Sequence, residues 1–266
     1  MRVKPQKEVR MKYTQGKFQI IGKSAIAKEI YSFEILCPEV AAAAQPGQFV
    51  HIRVEGFTLR RPISICGIDK EKGTLRIVFE IRGEGTAFIA KLNTGDLVDM
   101  LAPLGHGFTV NPEYKKVILI GGGIGTPPML PLAQSYGKKA YAISGFRSAN
   151  AVILQENFKK SGAETILCTD DGTQGIHGFV TQPLAEILEK EDIDAIYACG
   201  PAPMLKGISA MAKEKGIYCE ISLEERMACG IGACLGCACR TKKSDEEYFA
   251  HVCKDGPVFN AEEVLW

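Results

Sequence analysis

The first part of the chain, up to about residue 111, is a series of short runs of residues. Each run is either apolar throughout or alternates between apolar and polar positions. Turn signals such as Gln45-Pro-Gly and Lys72-Gly separate the runs, which is the pattern of β-strands joined by tight turns. Six short strands at this spacing predict a small antiparallel β-barrel. The strands are expected at 18–24, 30–36, 48–54, 62–66, 75–81 and 97–101, with one helix at 86–92.

From Tyr114 onward the pattern changes to buried-type strands that alternate with helical stretches. Alternating β and α elements predict a parallel sheet with helices on both faces. The strands are expected at 117–120, 139–144, 165–169 and 195–198, and the helices at 128–136, 155–160, 179–188 and 203–215.

The tail from about Leu223 is rich in glycine and cysteine and is too short to bury an apolar core of its own. Domains of this size are commonly held together by metal. The sequence therefore predicts a multidomain protein. An antiparallel β-barrel at 1–112 is followed by an α/β parallel-sheet domain at 113–222 and a small C-terminal domain at 223–266.

Composition and charge exclude several classes of partner. The 32 basic and 31 acidic residues are spread along the chain, so the basic stripe typical of nucleic-acid binding is missing. No apolar run of about 18 residues is present, so we expect no membrane span. The charged segment 1–10 is not followed by the apolar stretch of a signal peptide, and either Met1 or Met11 could be the first residue. Ten cysteines without an export signal indicate a reducing compartment, and we expect the cytoplasm.

Four cysteines near the C-terminus have the spacing of an iron–sulfur site. Cys229, Cys234 and Cys237 follow the pattern C-x4-C-x2-C, and Cys253 lies further along the chain. This is the plant-type arrangement of ligands for a [2Fe-2S] cluster, which indicates single-electron transfer. Glycine adopts positive φ freely and lets N–H groups turn toward the sulfurs. The glycines of this loop are Gly230, Gly232 and Gly236.

Two other interpretations of these cysteines stay open. One is a structural zinc site, although zinc favours two separated C-x2-4-C knuckles. The other is a disulfide framework, although the chain is long and shows no sign of secretion. With Cys239 the region has five cysteines, whereas a cluster needs four ligands. Cys239 is therefore either not a ligand or takes the place of one of the four.

The α/β region contains two glycine turns, and each follows a strand. The first, Gly121-Gly-Gly-Ile-Gly-Thr126, leads toward a helix, where N–H groups and the helix dipole favour a pyrophosphate. The strict G-x-G-x-x-G fingerprint is absent, and the acidic ribose ligand is missing from the region of Arg147. The second turn is Cys199-Gly-Pro201. Ligands bind outside the carboxyl ends of strands in open α/β sheets, so the two turns together predict a dinucleotide site.

Two segments of the barrel region suit anion binding. Arg61-Pro-Ile-Ser64 offers an arginine fork for phosphate, and Gly85-Thr86 heads the expected helix. Both are also common turn sequences, so neither identifies a site alone. The histidines show no metal spacing and receive no role; they are His51, His106, His177 and His251.

The order of barrel, glycine-rich α/β region and Cys199-Gly-Pro201 turn resembles the ferredoxin–NADP reductase superfamily over almost the whole chain. The tail narrows this resemblance. Its run 225–237 and the segment Cys253-Lys-Asp-Gly-Pro-Val-Phe259, combined with Arg61-Pro-Ile-Ser64, closely resemble the electron-transfer subunits of NAD-dependent dihydroorotate dehydrogenase B.

The resemblance implies which residues hold each cofactor. Arg61 would contact the FAD pyrophosphate, Ser64 would lie near the reactive edge of the flavin, and Cys199 would lie near the nicotinamide. Arg147 leaves the choice between NAD and NADP open. The implied FAD residues are Arg61, Pro62, Ile63, Ser64, Val78, Phe79, Glu80, Gly85 and Thr86. The implied NAD residues are Gly121, Gly122, Gly123, Gly125, Thr126, Cys199, Gly200 and Pro201, and the implied [2Fe-2S] ligands are Cys229, Cys234, Cys237 and Cys253.

The family implies a flavoprotein oxidoreductase subunit for electron transport in pyrimidine biosynthesis. Electrons would run from dihydroorotate through the FMN of a separate catalytic subunit, and then through the cluster and FAD to NAD+. NADH carries paired electrons and the cluster accepts one, so FAD is expected between them. The partner would be the FMN-containing dihydroorotate dehydrogenase catalytic subunit, in a heterotetramer with two copies of each. No residue of this chain is assigned a catalytic role.

Two other functions stay open. A reductase subunit of a related complex, such as a sulfhydrogenase gamma subunit or the small subunit of a ferredoxin-dependent transhydrogenase, would share these sites and differ in its partner. A zinc-stabilised nucleotide sensor without enzymatic activity would differ in its metal and would lack flavin.

Overall fold

The structure, a computed structural model, describes residues 13–244 and 246–266. The charged segment 1–10, and with it the choice between Met1 and Met11, lies outside this part. A barrel, a layered α/β region and a cysteine-rich tail follow one another along the described chain. No helix of the described part has the length and apolar character needed to cross a bilayer.

Six antiparallel strands form a closed barrel, as the sequence pattern predicts. The strands are β1 (Thr14–Ala27), β2 (Ile30–Leu36), β3 (Phe49–Ile52), β4 (Arg61–Asp69), β5 (Thr74–Glu80) and β6 (Leu97–Leu104). Around the barrel they lie in the order β1-β2-β5-β4-β3-β6. A short helix that the pattern does not predict, α1 (Pro38–Ala43), precedes β3, and the expected helix is α2 (Glu84–Lys91).

Strand β3 lies where the barrel packs against the rest of the molecule. Val50 and Ile52 are buried in the barrel interior. Phe49 belongs to a second core, which the barrel shares with the α/β region and the tail. Successive side chains of a strand point to opposite faces, so His51 lies on the same outer side as Phe49.

The α/β region is a parallel sheet whose strands alternate with helices, as predicted. Its elements are β7 (Val117–Gly122), α3 (Leu130–Tyr136), β8 (Ala140–Phe146), α4 (Gln155–Ser161), β9 (Glu164–Thr169), β10 (Ile176–His177), α5 (Thr181–Lys190), β11 (Ala195–Cys199), α6 (Ala202–Lys215) and β12 (Tyr218–Ser222). The strands lie in the order β10-β9-β8-β7-β11-β12. Strand order therefore reverses between β7 and β11, and both predicted glycine turns follow these two strands.

Two features of this region differ from the prediction. The helix expected at 128–136 begins at Leu130, after 3-10 turns at Gly123–Gly125 and Pro127–Met129. Prolines at 127 and 128 have no N–H and cannot donate the hydrogen bonds of an α-helical turn. Strand β12 was not expected, because its centre is the charged Glu220, which is nevertheless buried.

The tail packs its apolar residues into the other two regions. It forms a hairpin of β13 (Ala238–Lys243) and β14 (Glu246–His251), and then β15 (Val258–Asn260), which extends the sheet antiparallel to β12. Val252 and Phe259 share one core with Ile196 of β11 and Phe49 of the barrel. The segment that carries the four cysteines is therefore anchored on two sides.

A hydrogen-bond network around the buried side chains of Tyr197 and Glu220 attaches the connection after the barrel to the sheet. The Tyr197 hydroxyl donates to the carbonyl oxygen of Thr109 at 2.6 Å and lies 2.9 Å from the Tyr136 hydroxyl. Thr109 in turn donates to the Glu220 carboxylate from its backbone N–H at 2.8 Å and from its hydroxyl at 2.7 Å. Because Tyr136, Tyr197 and Glu220 are buried, their polar groups depend on these partners.

We expect Tyr197→Phe to destabilise the protein. Without the hydroxyl, the Thr109 carbonyl and the Tyr136 hydroxyl each lose a buried partner, which costs about 1–2 kcal/mol. The measurement is the midpoint of urea unfolding followed by far-UV circular dichroism. Tyr248→Phe is the matched control, because the Tyr248 side chain is 43% exposed. Equal midpoints for Tyr197→Phe and the wild type would contradict this role of the network.

Candidate functional site

The loop that carries three of the candidate ligands turns backbone N–H groups toward the thiol of Cys229. Its Sγ accepts hydrogen bonds from Ile231 at 3.4 Å, Ala233 at 3.2 Å and Cys234 at 3.4 Å. Burial opposes ionisation of this thiol, but the N–H groups outweigh burial and lower the pKa of Cys229 to about 7. The thiolate is the form of cysteine that binds metal, so the loop prepares this residue as a ligand.

Cys237 and Cys253 are the buried members of the group, each 1% exposed. Gly232 donates its N–H to Cys253 Sγ at 3.1 Å, and Cys253 donates its N–H to Cys237 Sγ at 3.4 Å. Burial raises the pKa of Cys253 to about 12, and a hydrogen bond with the Cys237 thiol acts in the same direction. The fold thus brings the distant Cys253 to the ligand loop, as the spacing requires.

Two of the three loop glycines are required by backbone geometry. Gly230 has φ +74° and Gly232 has φ +79°. A Cβ at Gly230 would lie 2.4 Å from His51 Nδ1, and one at Gly232 would lie 2.6 Å from Lys254 Cδ. The expectation for the third glycine is wrong, because Gly236 has no positive φ and Leu235 has φ +59° instead.

The four thiols lie in two pairs, Cys229 with Cys234 and Cys237 with Cys253, and the members of each pair are close enough for a side-chain hydrogen bond. No group of three or more His, Cys, Asp or Glu residues among 13–244 and 246–266 is placed to hold one metal ion. A [2Fe-2S] cluster does not need such a group, because its four thiolates are shared between two irons. Cys239 lies on β13 opposite Ala250, and burial raises its pKa to about 11.

Arg61 and the first turn of α2, two separate signals in the sequence, meet in the structure. A Cβ at Gly85 would lie 2.3 Å from Arg61 Nε, so the guanidinium covers the backbone at the start of the helix. The guanidinium carbon lies 5.2 Å from the centre of the Phe57 ring. A fixed positive charge beside helix N–H groups is a suitable cradle for a phosphate.

The other FAD candidates differ in what they can offer a ligand. Ile63 and Phe79 bury their side chains in the barrel interior. Val78 packs in the core facing the α/β region. The Thr86 hydroxyl is already engaged, because it donates to the carbonyl of Gly83 at 3.0 Å. The remaining candidates are Pro62, which is exposed, and Ser64 and Glu80, which are half-buried.

The two glycine turns lie in contact at the carboxyl ends of β7 and β11. A Cβ at Gly125 would lie 2.4 Å from the carbonyl oxygen of Cys199, and one at Gly122 would lie 2.9 Å from Pro201 Cδ. Side chains there would push the turns apart. The structure therefore brings the predicted NAD residues together where strand order reverses, which is the usual ligand position in open α/β sheets. These residues are Gly121, Gly122, Gly123, Gly125, Thr126, Cys199, Gly200 and Pro201.

The first turn has free space and one polar group without a partner. A Cβ at Gly123 would have nothing within 4 Å. Thr126 is fully buried, and its hydroxyl forms no hydrogen bond within the described chain. Because one 3-10 turn lies within this segment and a second follows it, anion binding here would rest on the N–H groups of the turn itself. Burial raises the pKa of the Cys199 thiol to about 12, so it stays protonated.

His51 joins the site although its position in the sequence gives no reason to select it. It is fully buried, pairs in register with Pro62 of β4, and lies against Gly230 of the ligand loop. Burial lowers the pKa of His51 to about 4, and the charge of Arg60 acts in the same direction. The ring is therefore neutral near pH 7. Only strand register and the path of the loop reveal this position.

Comparison with known proteins identifies close relatives of the chain. The family model for the iron-sulfur cluster binding domain of dihydroorotate dehydrogenase B matches residues 224–265. The chain is 42% identical over 257 residues to the electron transfer subunit of dihydroorotate dehydrogenase B (NAD(+)) of Bacillus mycoides (strain KBAB4), covering 92% of this chain and 96% of the relative. The subunit of the same name from Bacillus cereus (strain AH187) is 42% identical over 255 residues, with the same coverage.

The fold is also similar to a solved structure of an NADH-dependent reduced ferredoxin-NADP oxidoreductase, from work on flavin-based electron bifurcation. The TM-score is 0.83 at 30% identity, and 94% of this chain and 90% of that chain are covered. The similarity therefore extends over the barrel, the sheet and most of the tail.

Substitution of one ligand should remove the cluster and leave the other sites intact. We expect Cys234→Ser to lose iron and acid-labile sulfide, because the cluster then lacks one thiolate. FAD content and NADH–dye reductase activity should persist, because their candidate residues lie in other regions. Cys239→Ser is the matched control and should keep the full iron content. Equal iron in Cys234→Ser and the wild type would remove Cys234 from the ligand set.

Arg61→Ala should weaken FAD binding. Loss of one charged hydrogen-bonding contact costs about 1–3 kcal/mol, measured as the Kd of FAD for the deflavinated protein. Arg240→Ala is the control, because Arg240 lies in the tail hairpin and pairs with Glu247. Unchanged FAD affinity in Arg61→Ala would show that this arginine does not contact the cofactor.

Proposed function

This chain belongs to the family of electron-transfer subunits of NAD-dependent dihydroorotate dehydrogenase B, and from that premise we propose that it carries electrons between a dihydroorotate-oxidising partner and NAD(H). The chain is an oxidoreductase subunit of the FAD, [2Fe-2S] and NAD type. The observation that carries the proposal is the ligand loop, in which three N–H groups point at Cys229 Sγ and the tail packs directly on a reductase core.

Each region of the chain has a distinct task in this proposal. FAD, when bound, exchanges paired electrons with a nicotinamide and single electrons with an iron–sulfur cluster. Arg61 and the N–H groups near Gly85 hold the diphosphate of FAD. The turns at Gly121–Thr126 and Cys199–Pro201 admit the dinucleotide, and Arg147, exposed after β8, leaves NADP(H) to be compared with NAD(H). The loop N–H groups favour the thiolate form of Cys229.

The exposed edge of the ligand loop is the proposed contact with the catalytic partner. Cys234 is exposed, and the side chain of Leu235 beside it is 60% exposed. Electron transfer requires that the two centres lie close together, and this edge brings the cluster nearest to the surface. The same proposal has three further parts. The partner contains FMN, the complex is a heterotetramer with two copies of each subunit, and its location is the cytoplasm.

A second candidate function rests on the similarity to the NADH-dependent reduced ferredoxin-NADP oxidoreductase. A reductase subunit of such a complex would use the same barrel, sheet and cluster loop with a different partner. The identity of 30% to that structure is lower than the 42% to the dihydroorotate dehydrogenase subunits. The family therefore favours the first function, and the native partner decides between them.

Co-expression with the FMN-containing catalytic subunit of the same organism tests the function. We expect the two chains to co-purify and to reduce NAD+ with dihydroorotate as donor, because the electron route is then complete. Neither subunit alone should show this activity. A complex that contains Cys234→Ser should keep NADH–dye reduction and lose the dihydroorotate-dependent reaction. A native partner without FMN or dihydroorotate activity would contradict the proposal.

A further inference from the structure

The ring of Phe57 lies beside the proposed FAD site and has no task in the proposed function. It belongs to the loop between β3 and β4, where a turn brings the Phe57 N–H to the carbonyl oxygen of Val54 at 3.2 Å. Gly56, within this turn, has φ +79°, a conformation that favours glycine. The Phe57 ring is half-buried and packs against the apolar core of the barrel. The barrel therefore fixes the position of the ring.

The guanidinium of Arg61 lies over this ring, with its central carbon 5.2 Å from the ring centre. The face of an aromatic ring carries a partial negative charge and attracts a cation at this distance. Arg61 Nη1 also donates to the carbonyl oxygen of Leu59 and, at 3.4 Å, to that of Arg60. An arginine side chain has many rotamers in solution. Here the ring and the carbonyl groups of one loop restrict the guanidinium to one place.

The opposite edge of the guanidinium is left for a ligand. A Cβ at Gly85 would overlap Nε and Nη2 of Arg61, so this edge faces the first turn of α2. Two N–H groups on one edge of a guanidinium can contact a phosphate in bidentate fashion. In the described part of the chain no ion pair includes Arg61, whereas the neighbouring Arg60 pairs with Asp99 at 2.8 Å. The charge of Arg61 is therefore held in place without being neutralised by a carboxylate.

We propose that Phe57 is a positioning residue, which holds Arg61 through the face of its ring in the orientation that receives the diphosphate of FAD. The inference rests on the proposed function, because it takes Arg61 as the phosphate ligand of that site. An arginine that is already ordered loses less conformational entropy when the phosphate binds, so the affinity for FAD rises without a further contact to the cofactor. Phe57 acts through Arg61, and its effect should vanish when Arg61 is removed.

The test is a double-mutant cycle with the Kd of FAD for the deflavinated protein as its readout. Phe57→Leu keeps an apolar side chain without a ring face, and Phe57→Tyr keeps the ring. We expect the Kd to be about three- to tenfold higher in Phe57→Leu and close to the wild type in Phe57→Tyr. Combined with Arg61→Ala, Phe57→Leu should have no further effect, because the ring then has no guanidinium to hold. Phe249→Leu is the matched control, because Phe249 lies in the tail hairpin with its ring 66% exposed.

Three results would overturn the inference. The first is an equal Kd for Phe57→Leu and the wild type. The second is a loss of affinity that is the same with and without Arg61→Ala, and the third is a loss that Phe57→Tyr shares, because packing alone would then explain the effect. If Phe57→Leu does not fold, a phenylalanine with three ring fluorines at position 57 decides, since fluorine weakens the negative ring face at nearly the same size. Its Kd should rise, and an unchanged Kd overturns the inference.

Failure of the inference and failure of the proposed function give different results. If Arg61→Ala alone binds FAD as tightly as the wild type, the diphosphate site assigned to Arg61 is wrong, and the proposed function loses that site. If Arg61→Ala weakens FAD binding and Phe57→Leu does not, the site stands and only the positioning role of Phe57 is wrong.

Discussion

Thiolates can be held side by side only where other groups offset their negative charge, and this requirement shapes the C-terminal region. Three N–H groups do so for Cys229, whereas for Cys253 burial outweighs the single N–H of Gly232. To point inward, the loop must enter the left-handed region at Gly230 and Gly232. The bare backbone at Gly230 then lies directly against His51 of the barrel. The path that stabilises the thiolates therefore also decides where the loop meets the FAD domain.

A loop with this task must be held in a fixed place, because electron transfer depends strongly on the distance between centres. The tail achieves this with apolar packing and backbone pairing. Strand β15 continues the sheet beside β12, and Phe259 joins a core that includes Phe49 of the barrel. One edge of the loop, at Cys234 and Leu235, stays exposed and is left for a partner.

The features that could be predicted from the sequence are those with a local pattern. The six barrel strands, the parallel sheet and an iron–sulfur domain in the tail are confirmed in kind, because each produces a pattern in consecutive residues. Strand β12 was missed because its buried Glu220 is satisfied by Thr109, a residue far away in the chain. His51 was missed for the same reason, since its meaning depends on strand register and on a loop from the tail. The assignments of individual cofactor residues stay predictions.

The central claim is that one chain holds a flavin and an iron–sulfur centre in electronic contact. The most direct measurement adds NADH to the isolated subunit without oxygen and follows flavin absorbance and electron paramagnetic resonance together. The account predicts that NADH bleaches the flavin and also produces the signal of a reduced [2Fe-2S] cluster. Flavin reduction without any iron signal, in protein that contains two irons per chain, would contradict it.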